Sequence, residues 1–160
     1  MMEHMQNWHD MNKFMELAYN EALDGVCKRH GGPFGAVIVK DGKIIAKGHN
    51  EVLLRHDPTA HAEIVVIRKA CKKLNTVDLG GCTLYVTSKP CPMCKGAIQW
   101  SRIKDVVFSG DYEDAKKLDF DDLLFSDEFD EEDNHWTQMD QENFVKLIDA
   151  FSSCKYEIRY

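Results

Sequence analysis

Apolar residues recur along this chain at two different periods, and the switches between them divide it into elements. Phe14, Leu17, Ala18, Ala22 and Val26 are spaced by three and four on one face, and the first thirty residues are expected to form a helix. Gly31, Gly32 and Pro33 mark its end. Two apolar runs then flank Asp41-Gly42, a strong hairpin signal, and predict strands near 34–40 and 43–49. A polar loop over 50–60 leads into HAEIVVIRKACKKL, a helix from about 60 to 74 with Thr59 as its expected N-cap. Ile64 to Ile67 is poor helix-forming material, so this helix is expected to depend on burial. Gly80-Gly81 precedes CTLYVTS, a third strand, and Cys91 to Trp100 reads as a third helix with Pro90 and Pro92 at its start. KDVVFSG is a fourth strand. Over 140–152, Phe144, Leu147, Ile148 and Phe151 share one side of a last helix. The order predicts an α/β layered domain with helices on each face of the sheet.

The chain has 160 residues, the size of one ordinary domain, so a single domain over 1–160 is expected. With 44% hydrophobic and 29% charged residues, it has the balance of a soluble globular protein rather than a disordered one. Its longest uncharged apolar runs, such as Ala36 to Val39, are too short to span a bilayer. The segment MMEHMQNWHD has neither a basic nor an apolar signal region, so a cytoplasmic location is expected. A net charge of −7 argues against nucleic acid as a partner, because phosphates are met with Lys and Arg. From Asp119 to Asp133 there are nine acidic residues and no basic ones, interleaved with Phe120, Phe125 and Phe129. The second half of that run reads as a solvated face or mobile loop, and the phenylalanines imply that the first half is pinned.

Six cysteines without a secretory signal point to metal ligands or free thiols rather than a disulfide framework. Two of them lie in Pro90-Cys91-Pro92-Met93-Cys94, at a predicted helix start, where the first turn brings both sulfurs to one side. Free N–H groups and the helix dipole favour thiolates there. The other helix start carries His61-Ala62-Glu63, with 26 residues between Glu63 and Pro90. His61, Cys91 and Cys94 make three zinc ligands, one short of a tetrahedron, which is the arrangement of a catalytic site with water in the fourth place. Glu63, two residues from the histidine, fits a proton relay better than a fourth ligand. Two other readings stand beside this one. A structural zinc site could be closed by Cys82, Cys71 or His56, making the protein a zinc-stabilised binding module. A redox dithiol would leave His61 and Glu63 without a task.

His-x-Glu followed by Pro-Cys-x-x-Cys is a zinc deaminase signature. Together with GGPFGAVIVKDGKIIAKGHN, DPTAHAEIVVIRKACK, PCPMCKGAIQWSRIKDVVF and FDD, it makes the chain resemble the cytidine-deaminase-like superfamily over about Gly31 to Asp122, and within it the small bacterial guanine deaminases. The resemblance implies a three-layer α/β/α fold with a central mixed sheet, and one Zn²⁺ per subunit on His61, Cys91 and Cys94. It implies Glu63 as proton shuttle and Asp122 as a second catalytic group that recognises the purine edge. Asn50 and the backbone N–H of Ala62 would bind the substrate ring, with Phe34 and Trp100 lining the base pocket. Tyr160 would close the site, with Tyr156 as a competitor. The implied activity is hydrolysis of guanine to xanthine and ammonia, part of purine breakdown, by a homodimer that exchanges segment 119–160 between subunits. Cytosine, guanosine or adenosine in tRNA are the alternative substrates. Lys89 departs from the pattern, standing where many relatives carry a glutamate before Pro-Cys.

Overall fold

The computed structural model describes residues 11–111, 113–114 and 135–153. Helix α1, Lys13–Cys27, contains the whole periodic series and starts where Asn12 caps it by accepting from the N–H groups of Phe14 and Met15. Its buried face, with Met15, Ala18, Tyr19, Ala22 and Val26, lies on the sheet. Strands β1, Gly35–Lys40, and β2, Lys43–His49, form the expected hairpin. Its turn is Asp41-Gly42, both at positive φ, the geometry that matches strand twist. A register shift at Ile38/Val39 places one extra residue in β2.

The stretch expected to be loop contains one short helix, α2, Val52–Arg55. Helix α3 runs over Ala62–Leu74 and ends on Asn75 in the left-handed conformation. Its N-cap is His61 and not Thr59, whose hydroxyl instead bonds to Asp57 in a tight turn. Strand β3 is Cys82–Ser88, helix α4 is Pro92–Trp100 and strand β4 is Asp105–Gly110. Strand β5, His135–Gln138, has no counterpart in the sequence reading, and helix α5, Gln141–Ser153, follows it. The acidic run 119–133 lies outside the described residues.

The sheet order is β2-β1-β3-β4-β5. β1 is antiparallel to β2 and β3, whereas β3, β4 and β5 are parallel, so the sheet is mixed. One face packs on α1 and α5 through Val37, Val39, Phe144, Leu147 and Phe151. The other packs on α3 and α4 through Ala36, Ile38, Leu84, Val86, Ala62, Val66 and Ile98. The three-layer α/β/α architecture is therefore present. The strand topology also brings the start of β1, the end of β2 and the ends of β3 and β4 to one edge of the molecule, next to the first turns of α3 and α4.

Candidate metal centre and active site

Two helix N-caps meet at that edge. Capping positions usually hold Ser, Thr, Asp or Asn, whose oxygens satisfy the first backbone N–H groups. Here the N-caps of α3 and α4 are His61 and Cys91, both in extended backbone conformation and neither making a side-chain capping bond. Their side chains turn to each other instead. His61 Nδ1 lies 3.7 Å from Cys91 Sγ and 3.6 Å from Cys94 Sγ, and the three donor atoms fall within 4.8 Å of one another. Zinc bonds of about 2.3 Å to sulfur and about 2.0–2.1 Å to nitrogen in a tetrahedron require N···S separations of about 3.6 Å. The donor set thus fits zinc in both chemistry and spacing.

The electrostatics agree with that geometry. Cys91, hydrogen-bonded to Cys94 and facing His61, has its thiol pulled down to about 4 despite burial. Burial, reinforced by Cys91 and Glu63, pushes the Cys94 thiol well up. A bound dication would favour the thiolate form of both. Glu63, only 5% exposed, sits in the first turn of α3 and hydrogen-bonds Cys94. Burial, opposed by His61, raises its carboxyl to about 7. Such a group can accept or give up a proton near neutrality.

Backbone hydrogen bonds tie further predicted residues to this cluster. The Asn50 N–H donates to the Phe34 carbonyl, and the Glu51 N–H donates to the carbonyl of Ala60, one residue before His61. Asn50 is 1% exposed, and its Oδ1 accepts from the Val52 N–H at 3.0 Å, which fixes its amide and leaves Nδ2 as the donor end. Gly31 lies so close to that amide that a Cβ there would collide with Oδ1. Ala62 is fully buried at the first position of α3. Phe34 is half-buried and touches both cores.

Trp100 does not join them. It ends α4, about 13 Å along the axis from Cys91. It is also 81% exposed, on a shallow cleft with Ile64, Ile67, Val77 and Arg102. Among the described residues its neighbours are those of this cleft and not the metal ligands. Asp122, Tyr156 and Tyr160 lie outside the described residues. The Lys89 ammonium lies 5.5 Å from the centre of the Phe108 ring, and Lys95, buried one residue after Cys94, stands 5.5 Å over Trp136. The sequence reading also passed over Ser88, a buried hydroxyl without a hydrogen-bond partner among the described residues. Its only signal was a polar residue continuing the apolar series Cys82, Leu84, Val86.

A mixed sheet whose edge joins two helix starts through a His-Cys-Cys cluster, with a buried glutamate beside it, defines a zinc-dependent hydrolytic deaminase. The chain belongs to that family: the cytidine and deoxycytidylate deaminase zinc-binding region matches residues 8–110. Among its relatives, guanine deaminase of Bacillus subtilis (strain 168) is 51% identical over 117 residues, which are 73% of this chain and 75% of that protein. The tRNA-specific adenosine deaminase of Aquifex aeolicus (strain VF5) is 51% identical over 96 residues, 60% of this chain and 63% of that one. The X-ray structure of guanine deaminase from Bacillus subtilis superposes with a TM-score of 0.69 at 40% identity, covering 92% of this chain and all of that chain. Among the described residues, no helix is long and apolar enough to cross a membrane.

Proposed function

We propose that this deaminase acts on guanine, converting it with water to xanthine and ammonia. The observation that carries the chemistry is the buried Glu63 carboxyl against a donor set within 4.8 Å. The substrate reading is supported by extent of likeness. The guanine deaminase match takes in 73% of the chain against 60% for the tRNA deaminase, and the solved guanine deaminase covers 92%. A net charge of −7 also disfavours a tRNA substrate.

His61, Cys91 and Cys94 would hold the zinc, which supplies a Lewis acid able to make water acidic near pH 7. Glu63 accepts the water proton at its carboxylate and delivers it to the ring nitrogen beside the amine-bearing carbon. The water oxygen bonds to that carbon, its second proton passes through Glu63 to the amine, and the C–N bond breaks to release ammonia. Asn50 Nδ2 and the Ala62 N–H orient the ring, and Phe34 packs on it. Asp122 completes the purine edge and Tyr160 the closure of the site in a homodimer; β5 and α5, within the segment 119–160, pack on the chain's own β4 and α1.

The test is ammonia release by zinc-loaded protein from guanine, guanosine, cytosine, cytidine and adenine in separate assays. Release from guanine alone is the expected result. Faster release from cytosine or a nucleoside would overturn the substrate and leave the metal cluster and Glu63 in their roles. Asp122→Asn should lose most guanine activity, whereas a merely solvated carboxylate would make it silent.

A further inference from the structure

Ser88 closes β3, and its hydroxyl is buried, at 4% exposure of the residue, without a hydrogen-bond partner among the described residues. Strand alternation sets the side on which it stands. Cys82, Leu84 and Val86 face α3 and α4 as part of their shared core. Thr87 faces the other way, where its Oγ1 accepts from the Gly35 N–H at 3.1 Å. Alternation continues the Leu84 and Val86 side to Ser88, towards the layer whose first turns carry His61, Glu63, Cys91 and Cys94, in the last row of the sheet, where its register partner Gly110 faces Phe144 of α5. It stands three residues before Cys91, at the carboxyl end of a strand parallel to its neighbour β4. Ligands of open α/β sheets bind outside such strand ends.

The neighbouring buried polar groups have partners. Asn50 Oδ1 takes the Val52 N–H, Thr87 takes the Gly35 N–H and Glu63 bonds Cys94. An unpaired buried hydroxyl forfeits its hydration with nothing in return, and a smaller apolar side chain would fill the same place more favourably. We propose that Ser88 is a specificity-determining residue, whose hydroxyl hydrogen-bonds a polar edge atom of the bound heterocyclic base. A hydroxyl can donate to a ring nitrogen or carbonyl and can equally accept from a ring N–H. The inference rests on the deaminase reading of the site and adds a contact that the motif does not contain.

The experiment compares zinc-loaded wild type, Ser88→Ala and Ser88→Thr for KM, kcat, zinc content and thermal midpoint. Guanine is the substrate, or whichever base in the panel the wild type turns over fastest. Ser88→Ala should raise KM about three- to tenfold with kcat within about twofold, because the lost contact is made by bound ground state and transition state alike. Its thermal midpoint should equal or exceed that of wild type, since the deleted hydroxyl is unpaired in the free protein, and its zinc content should not change. Ser88→Thr keeps the hydroxyl and should stay nearer wild type in KM. An unchanged KM in Ser88→Ala, or a fall in stability or zinc content, overturns the proposal. Wild type active on another base but not guanine overturns only the guanine assignment. Zinc-loaded wild type silent on the whole panel overturns both.

Discussion

His49 stands between two polar partners at the end of β2. Its Nδ1 lies 2.8 Å from Glu21 Oε2, and its Nε2 lies 2.8 Å from His30 Nδ1. A proton on His49 Nδ1 satisfies the carboxylate, and a second hydrogen bond joins His49 Nε2 to His30 Nδ1. This chain of three residues braces α1 against Asn50, the next residue along. Burial raises the Glu21 carboxyl, but the hydrogen bond and charge of His49, aided by Lys47 and Lys69, outweigh it and leave the group below its ordinary value. A carboxylate lowered on folding adds stability above its unfolded pKa and loses it as pH falls through the folded one. Glu21→Gln should therefore cost about 1–2 kcal/mol at neutral pH. The difference from wild type should shrink as pH falls below about 4.5. Denaturant unfolding of both proteins between pH 7 and pH 3 checks this. A difference that stays constant with pH would show that Glu21 acts by packing alone.

At the scale of elements, α1 and β1 approach more closely than side chains ordinarily allow. A Cβ on Gly35 would fall inside the van der Waals shell of the Ala18 carbonyl oxygen and 2.7 Å from the Ala22 N–H nitrogen. Backbone cannot yield there as a flexible side chain can. Gly35→Ala should destabilise the protein by about 2 kcal/mol or more, read as a lowered denaturant midpoint at unchanged slope. A midpoint equal to wild type would mean that the helix can shift off the sheet at little cost. The elements themselves were legible in the sequence where periodicity was long or a turn signal explicit, as in α1 and the Asp41-Gly42 hairpin. The start of α3 was not. Thr59 carries the capping chemistry, but it is spent on the Asp57 turn, and the cap position goes to His61. A sequence rule for caps presumes that the cap side chain serves the helix, and here it serves a ligand cluster. Strand β5 escaped because three of its four residues, His135, Thr137 and Gln138, are exposed; edge pairing with β4 sustains it rather than an apolar face.

For the whole molecule, the layers and the ligand cluster were legible because each rests on spacing: three-and-four for the helices, alternation for the strands, His-x-Glu and Cys-x-x-Cys for the site. What surrounds the cluster depends on which strand ends share an edge, and spacing does not carry that. The family resemblance implies Trp100 as a pocket residue, and nine helical residues set it at the exposed far end of α4. Ser88 reads as the end of a strand, yet it is buried three residues before Cys91, at the sheet edge where the first turns of α3 and α4 meet. The proposed reaction needs one division of labour, in which His61, Cys91 and Cys94 would hold zinc and Glu63 would move protons without holding it. The direct measurement is zinc content and ammonia release from guanine for zinc-loaded Glu63→Ala beside wild type. The account predicts equal zinc and a fall in turnover of at least about 10²–10⁴. Full zinc with near wild-type turnover would contradict it.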